Sequence, residues 1–181
     1  MIKNILNLGD AALYCDFGHI VDKEINTKVI KYFKKLKEKQ VDGITNLTPS
    51  YNKLIISFDI NKINFKELQK IVEKINIDEI QNEAFRKIEI PVCCEEKFSL
   101  DIKRLESQFL IDRDKIFEIF FEKEYFCYMT GFIAGMPFLG DLPKNMRAKR
   151  LETPRVKVPK GSVALTEQFA NIYTFESPGG W

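Results

Sequence analysis

Apolar positions along the chain switch between two periods, and the switches mark its elements. Residues 5–8 are an apolar run, Gly9-Asp10 reads as a turn, and residues 12–17 form a second run, so a β-hairpin is predicted. From Asp22 to Gln40 the period changes. Ile25, Val29, Tyr32, Phe33 and Leu36 recur at three- and four-residue steps with lysines on the other face, which predicts an amphipathic helix with Asp22 as its N-cap. Residues 44–49 and 54–60 predict two more strands around a turn at Pro49-Ser50-Tyr51-Asn52. A second helix is predicted over 65–75. Phe65, Leu68, Ile71, Val72 and Ile75 give its apolar face, and Asn64 with Glu67 makes a capping-box pair. The order ββαββα implies a small antiparallel sheet with two helices on one face.

Periodicity fades over residues 76–87, where a boundary is expected between an N-terminal α+β domain at 1–80 and a second domain at 86–181. The second part predicts a strand at 88–92, a helix at 100–109 capped by Ser99, a helix at 113–121 capped by Asp112, and strands at 125–130, 162–165 and 172–175. It reads as a mainly β domain with two early helices, and a barrel is expected. Glycine and proline crowd residues 131–181, which excludes a long helix and predicts short strands joined by shaped loops. Loops held on a rigid sheet are where binding groups tend to sit.

Charge and composition narrow the classes. The 181 residues are 45% hydrophobic and 30% charged with a net charge of +2, an ordinary globular balance with no nucleic-acid or membrane-surface footprint. No stretch approaches the roughly 20 apolar residues of a membrane span, and the N-terminus lacks a signal-peptide core, so a cytoplasmic protein is expected. Cys15, Cys93, Cys94 and Cys127 form no CxxC pair and read as free, buried structural thiols. His19 is the only histidine. It sits in a turn-like stretch without a nucleophile motif and reads as a surface residue.

Three spots in the glycine-proline region carry candidate chemistry. Gly135 and Gly140 have P-loop spacing, but Asp141-Leu142 stand where Lys-Ser/Thr would be needed, so no P-loop is expected. Pro159-Lys160-Gly161-Ser162 reads first as a surface turn, and could place the Lys160 ammonium and the Ser162 hydroxyl before a strand. Arg155 could bind a carboxylate or phosphate through its guanidinium fork, or make a surface or interface salt bridge. Phe132, Met136, Phe138 and Leu139 read as packing residues. Ser177-Pro178-Gly179-Gly180-Trp181 reads as a turn.

Three stretches carry a resemblance. LGDAALYCDFG, TPSYNKLIISFD and the set GFIAGMPFLGDLP, TPRVKVPKGSVAL and ESPGGW occur in the order found in the PxpB component of bacterial 5-oxoprolinase, also described as allophanate hydrolase subunit 1 or the KipI family. The chain is identified as a member of that family over nearly its whole length. The resemblance implies a cyclophilin-like β-barrel in the second half and a hetero-oligomeric hydrolase that opens 5-oxo-L-proline to L-glutamate at the expense of ATP, with Mg²⁺, at the level of the complex. It implies two partners, a companion carboxyltransferase-like (PxpC-like) subunit and a PxpA-like subunit. Neither nucleic acid nor a membrane is an expected partner. Alternatives are a KipI-like protein that binds and inhibits a sensor histidine kinase, and a decayed paralogue without activity. By residue type, Arg155, Lys160 and Ser162 are expected to bind the substrate or an anion. Gly131, Phe132, Gly135, Pro137 and Gly140 are expected to shape the pocket, with Ser177, Pro178, Gly179, Gly180 and Trp181 at its rim. Catalytic residues are not assigned. The chain departs from the family pattern at Phe120, where a histidine is usual, at Ala134, where proline is usual, and at Phe169-Ala170-Asn171, where Gln-Thr-Gly is usual. Members continue past SPGGW with further strands, so an incomplete barrel is expected here.

Overall fold

The structure, a computed structural model, describes residues 2–80 and 85–181. Part of the expected boundary stretch, residues 81–84, lies outside the described residues. The chain divides into two compact units, Met1–Phe85 and Arg86–Trp181.

The first unit is a four-stranded antiparallel sheet under two helices. Its strands are β1 (Asn4–Asn7), β2 (Ala12–Asp16), β3 (Ile44–Pro49) and β4 (Lys53–Phe58), in the order β1-β2-β4-β3. Its helices are α1 (Lys23–Lys39) and α2 (Phe65–Glu73). Residues along β4 alternate strictly between half-buried and buried, so Leu54, Ile56 and Phe58 face the core. There they join Leu13 and Cys15 of β2, Val29, Tyr32 and Leu36 of α1, and Leu68 and Val72 of α2. Each fully buried Leu or Ile contributes about 1.5–3 kcal/mol relative to exposure.

Both helices begin where the sequence predicts. The Asp22 carboxylate accepts from the backbone N–H of Glu24 and Ile25. Asn64 and Glu67 close a reciprocal capping box. Gln40 ends α1 in the left-handed region, at φ 44°. Across the end of β2 and β4, Lys53 Nζ donates to Asp16 Oδ1 at 2.6 Å and also to the Gly18 carbonyl. The hydrogen bond from Lys53 holds the Asp16 carboxyl below its usual value.

The second unit contains α3 (Ile102–Phe109), α4 (Arg113–Phe121) and the strands β5 (Phe126–Thr130), β6 (Pro137–Gly140), β7 (Arg155–Val158), β8 (Val163–Thr166), β9 (Phe169–Ile172) and β10 (Ser177–Gly179). One antiparallel sheet has the order β5-β6-β9-β8, and β7 pairs with β10 in a two-stranded sheet. The fold is therefore α+β, and the described residues form no closed barrel. Ile102 of α3, Ile116 of α4 and Met146 make one buried cluster, with Leu165 of β8 packed against it. Met136, Val158 and Tyr173 make another.

Several expectations are corrected here. The predicted strand at 88–92 joins no ladder, and Ile88 and Ile90 stand exposed. Its alternating pattern meets no neighbouring strand among the described residues, and a ladder needs two partners. The helix predicted from residue 100 starts at Ile102, with Asp101 rather than Ser99 at the cap position. The Asp101 side chain makes no capping bond because Arg155 takes both of its oxygens. The strand predicted at 172–175 runs over 169–172, and Ser177–Gly179, read as a turn, is a strand. Of the four free cysteines only Cys15 is buried, and burial pushes its thiol up to about 12, which makes it inert. Cys93 and Cys127 are exposed. His19 is exposed, as the sequence predicts.

Candidate functional site

Three glycine-proline stretches that lie far apart in sequence converge on Tyr173 and Thr174. The turn at 159–162 is tied to Tyr173 on both sides: Gly161 N–H donates to the Tyr173 carbonyl at 2.7 Å, and Tyr173 N–H donates to the Ser162 carbonyl at 2.9 Å. Gly161 adopts φ +85°, which an L side chain resists. The loop before β6 is tied to the next residue, because Thr174 Oγ1 donates to the Ala134 carbonyl at 2.7 Å. That loop closes on itself through Gly131 N–H to the Met136 carbonyl, 3.0 Å. The C-terminal stretch packs over Tyr173 itself. A Cβ added at Gly179 would fall 1.9 Å from the Tyr173 hydroxyl, so only glycine fits. Gly180 accepts from Leu151 N–H at 2.7 Å, and Trp181 meets Phe138 edge-on at 5.4 Å.

The expected site residues divide on this frame. Lys160 is exposed at the turn, and Ser162 is half-buried beside it. Phe132 projects from the loop, 73% exposed, with φ at +66°. Gly131 and Gly135 shape the same loop. Pro137 begins β6, and Gly140 ends it against the Tyr128 ring, where a Cβ would come within 2.6 Å. Because residues 137–140 are a paired strand, the Gly135–Gly140 spacing forms no phosphate loop. Ser177 and Gly179 pair with β7, and Pro178 is exposed.

Arg155 is placed differently. Its fork closes on Asp101, with Nη1–Oδ2 at 2.8 Å and Nη2–Oδ1 at 2.7 Å. That bond raises the guanidinium pKa. The salt-bridge alternative is the geometry present, and the partner sits 54 residues earlier in the chain. Phe120, at the family's usual histidine position, lies on α4 and stacks on Tyr125 at 5.0 Å.

Sequence reasoning did not single out Tyr173 or Asp101, and marked Asn171 only as a departure from the family pattern. Burial raises the Tyr173 hydroxyl's pKa, with Arg150 acting in the opposite sense. A second polar group links Tyr128, whose hydroxyl donates to Asp141 Oδ2 at 2.9 Å, and Gln168, whose Nε2 donates to Oδ1 at 3.3 Å. No local signal announces these pairings. The stretches that meet at Tyr173 carry an exposed lysine, a half-buried serine and closely approaching glycine backbone. The described residues hold no cluster of three or more metal-ligating side chains. None of their helices is long and apolar enough to cross a membrane. A shallow groove of about 370 Å³ in the first unit, lined by Phe33, Val41, Ile44 and Leu47 among others, contains none of the expected site residues.

Known proteins resemble the chain along nearly all of its length. A family described as carboxyltransferase domain, subdomain C and D, matches residues 3–181. A Bacillus subtilis protein named as the B component of 5-oxoprolinase is 28% identical over 189 residues, covering 98% of this chain and 79% of its own length. A Haemophilus influenzae protein of the same name is 30% identical over 183 residues, covering 98% of this chain and 83% of its own length. Among solved structures, TTHA0988 superposes with a TM-score of 0.82 at 26% identity over 94% of this chain, which spans 34% of that longer chain.

Proposed function

Since the chain belongs to the carboxyltransferase-domain family, subdomains C and D, we propose that it works as the B component of a multi-subunit 5-oxoprolinase. The observation that carries this reading is the near-full-length match to two proteins of that name from different bacteria. The reaction would be ATP-dependent ring opening of 5-oxo-L-proline to L-glutamate. A lactam resists water because its nitrogen lone pair is delocalised into the carbonyl. Transfer of the terminal phosphoryl group of ATP to the amide oxygen, with release of ADP, would make the carbon electrophilic. Water would add there, the ring C–N bond would break with the nitrogen leaving as the amine, and a second water would hydrolyse the resulting acyl phosphate to glutamate and phosphate. ATP and Mg²⁺ would serve the complex, with a companion carboxyltransferase-like subunit and a third subunit completing it.

Within this chain, the frame around Tyr173 supports a substrate-holding role. Lys160 and Ser162 are assigned to anion contact at the turn. Gly131, Gly135, Gly179 and Gly180 are assigned to the wall that lets backbone approach the ligand. Arg155 is assigned a positioning role, because its fork ties β7 to the start of α3 through Asp101. The test is to co-express the chain with its companion subunits and measure glutamate formation from 5-oxoproline with ATP. Lys160→Ala should raise KM more than it lowers kcat, as loss of a ground-state contact does. An unchanged KM would remove Lys160 from the site.

A further inference from the structure

We infer that Asn171 is a lactam-recognition residue, its carboxamide pairing with the N–H and C=O edge of a cyclic amide; this rests on the 5-oxoprolinase reading. Asn171 lies on β9 and is 2% exposed. Its register partners are Phe138 on β6 and Ala164 on β8, so the three side chains stand in a row on one face of the sheet. The carboxamide oxygen is buried without a hydrogen-bond partner. The nitrogen has only the Met136 thioether, at 3.9 Å, a weak acceptor. A polar group that sits in the interior unmatched is costly, and such groups in folded proteins call for a reason.

The chemistry left open on Asn171 is specific. A primary carboxamide presents one acceptor and one donor on a single edge. A lactam, whose ring forces the amide cis, presents the complementary donor and acceptor on its own edge. Two parallel hydrogen bonds then form. A trans peptide bond cannot offer both groups to one carboxamide, so the residue selects cyclic amides over open-chain ones. On the β8 side Ala164 packs against Met136, Val158 and Tyr173, so a ligand would enter there by displacing the Met136 side chain. Ala164 contributes only a methyl group and is half-buried, and β8 is the outer strand of its sheet among the described residues. Phe138, with Trp181 packed on it, walls the other side. Met136 closes the carboxamide off with an unbranched, adaptable side chain that a ligand can displace.

The experiment titrates the isotope-labelled chain with 2-pyrrolidinone and with N-methyl-2-pyrrolidinone, following the Asn171 side-chain amide by NMR. The first should shift that resonance saturably, and the second, which lacks the donor, should not. Asn171→Leu should weaken 2-pyrrolidinone binding about tenfold or more, the effect of a lost hydrogen-bond pair. The same variant should raise the melting temperature, because an unmatched buried group is replaced by an apolar one of similar size. Met136→Ala should strengthen binding. Equal shifts from both lactams, or undiminished binding by a folded Asn171→Leu, would overturn the inference. Binding that follows this pattern in a complex without ATP-dependent turnover would support it and count against the 5-oxoprolinase reading alone. Wild-type turnover retained with unchanged KM in the Asn171→Leu complex would overturn it and leave that reading standing.

Discussion

The Arg155–Asp101 pair gives the sharpest quantitative prediction. Both bonds of the fork are short, at 2.7 and 2.8 Å. The side chains are 32% and 23% exposed, between a surface pair and a buried one. Fully exposed ion pairs contribute about 0.2–1 kcal/mol. Hydrogen bonds to charged groups contribute about 1.5–3 kcal/mol. Discounting for solvent screening places the coupling at about 1–2 kcal/mol. Arg104 Nε lies 3.8 Å from the same carboxylate and keeps it partly compensated when Arg155 is removed, which favours the lower end. The assay is a double-mutant cycle of Arg155→Ala and Asp101→Ala in urea. Trp181, the only tryptophan, reports on the second unit by fluorescence. Each single variant should lose about 1–2 kcal/mol, and the double variant should lose little more than either. Raising the salt concentration should shrink the coupling. Additive losses, within about 0.5 kcal/mol, would refute the reasoning and free Arg155 for a ligand.

Other predictions follow from single positions. Gly179→Ala should destabilise by about 2 kcal/mol or more in thermal melts, because the new methyl would lie 1.9 Å from the Tyr173 hydroxyl; Tyr173→Phe should recover part of the loss. Leu110→Gly should stabilise by about 1 kcal/mol, since Leu110 caps α3 at φ +57° and is 87% exposed. The Asp16 carboxyl has its pKa depressed below the ordinary 3.8 by Lys53, so its contribution is complete above that value and disappears as pH falls through the lower folded value. Melts from about pH 7 to about 2.5 should show Asp16→Asn starting about 1–3 kcal/mol less stable and converging on the wild type in acid.

Local signals account for the first unit. The Asp22 cap, the Asn64–Glu67 box and the apolar, β-branched run of residues 54–60 each act within a few residues; both caps appear in the structure as predicted, and the run forms β4 over Lys53–Phe58. The misses come from long-range choices. The 88–92 segment has the right alternation but depends on a partner strand. Asp101 could have capped α3, and Arg155 displaces that role from 54 residues away. The same holds at the candidate site. Its glycines could be read as backbone-shaping, because φ at Gly135 and Gly161 is a local property. That they gather around Tyr173 could not be read, since the hydrogen bonds that bring them there join stretches beginning near residues 131, 159 and 173. The unmatched carboxamide of Asn171 is likewise a fact of packing: the sequence marks Asn171 as a departure from the family pattern, and its orphaned oxygen emerges only with its neighbours in place.

The proposed role, as part of an ATP-dependent 5-oxoprolinase, is open to reconstitution. The chain and the two proposed companion subunits are purified together, and glutamate released from 5-oxo-L-proline is measured with and without ATP, and with this chain omitted. Turnover should require both ATP and this chain, with ADP and phosphate formed alongside glutamate. Undiminished turnover by the companion subunits alone, or none from the full set, would contradict it.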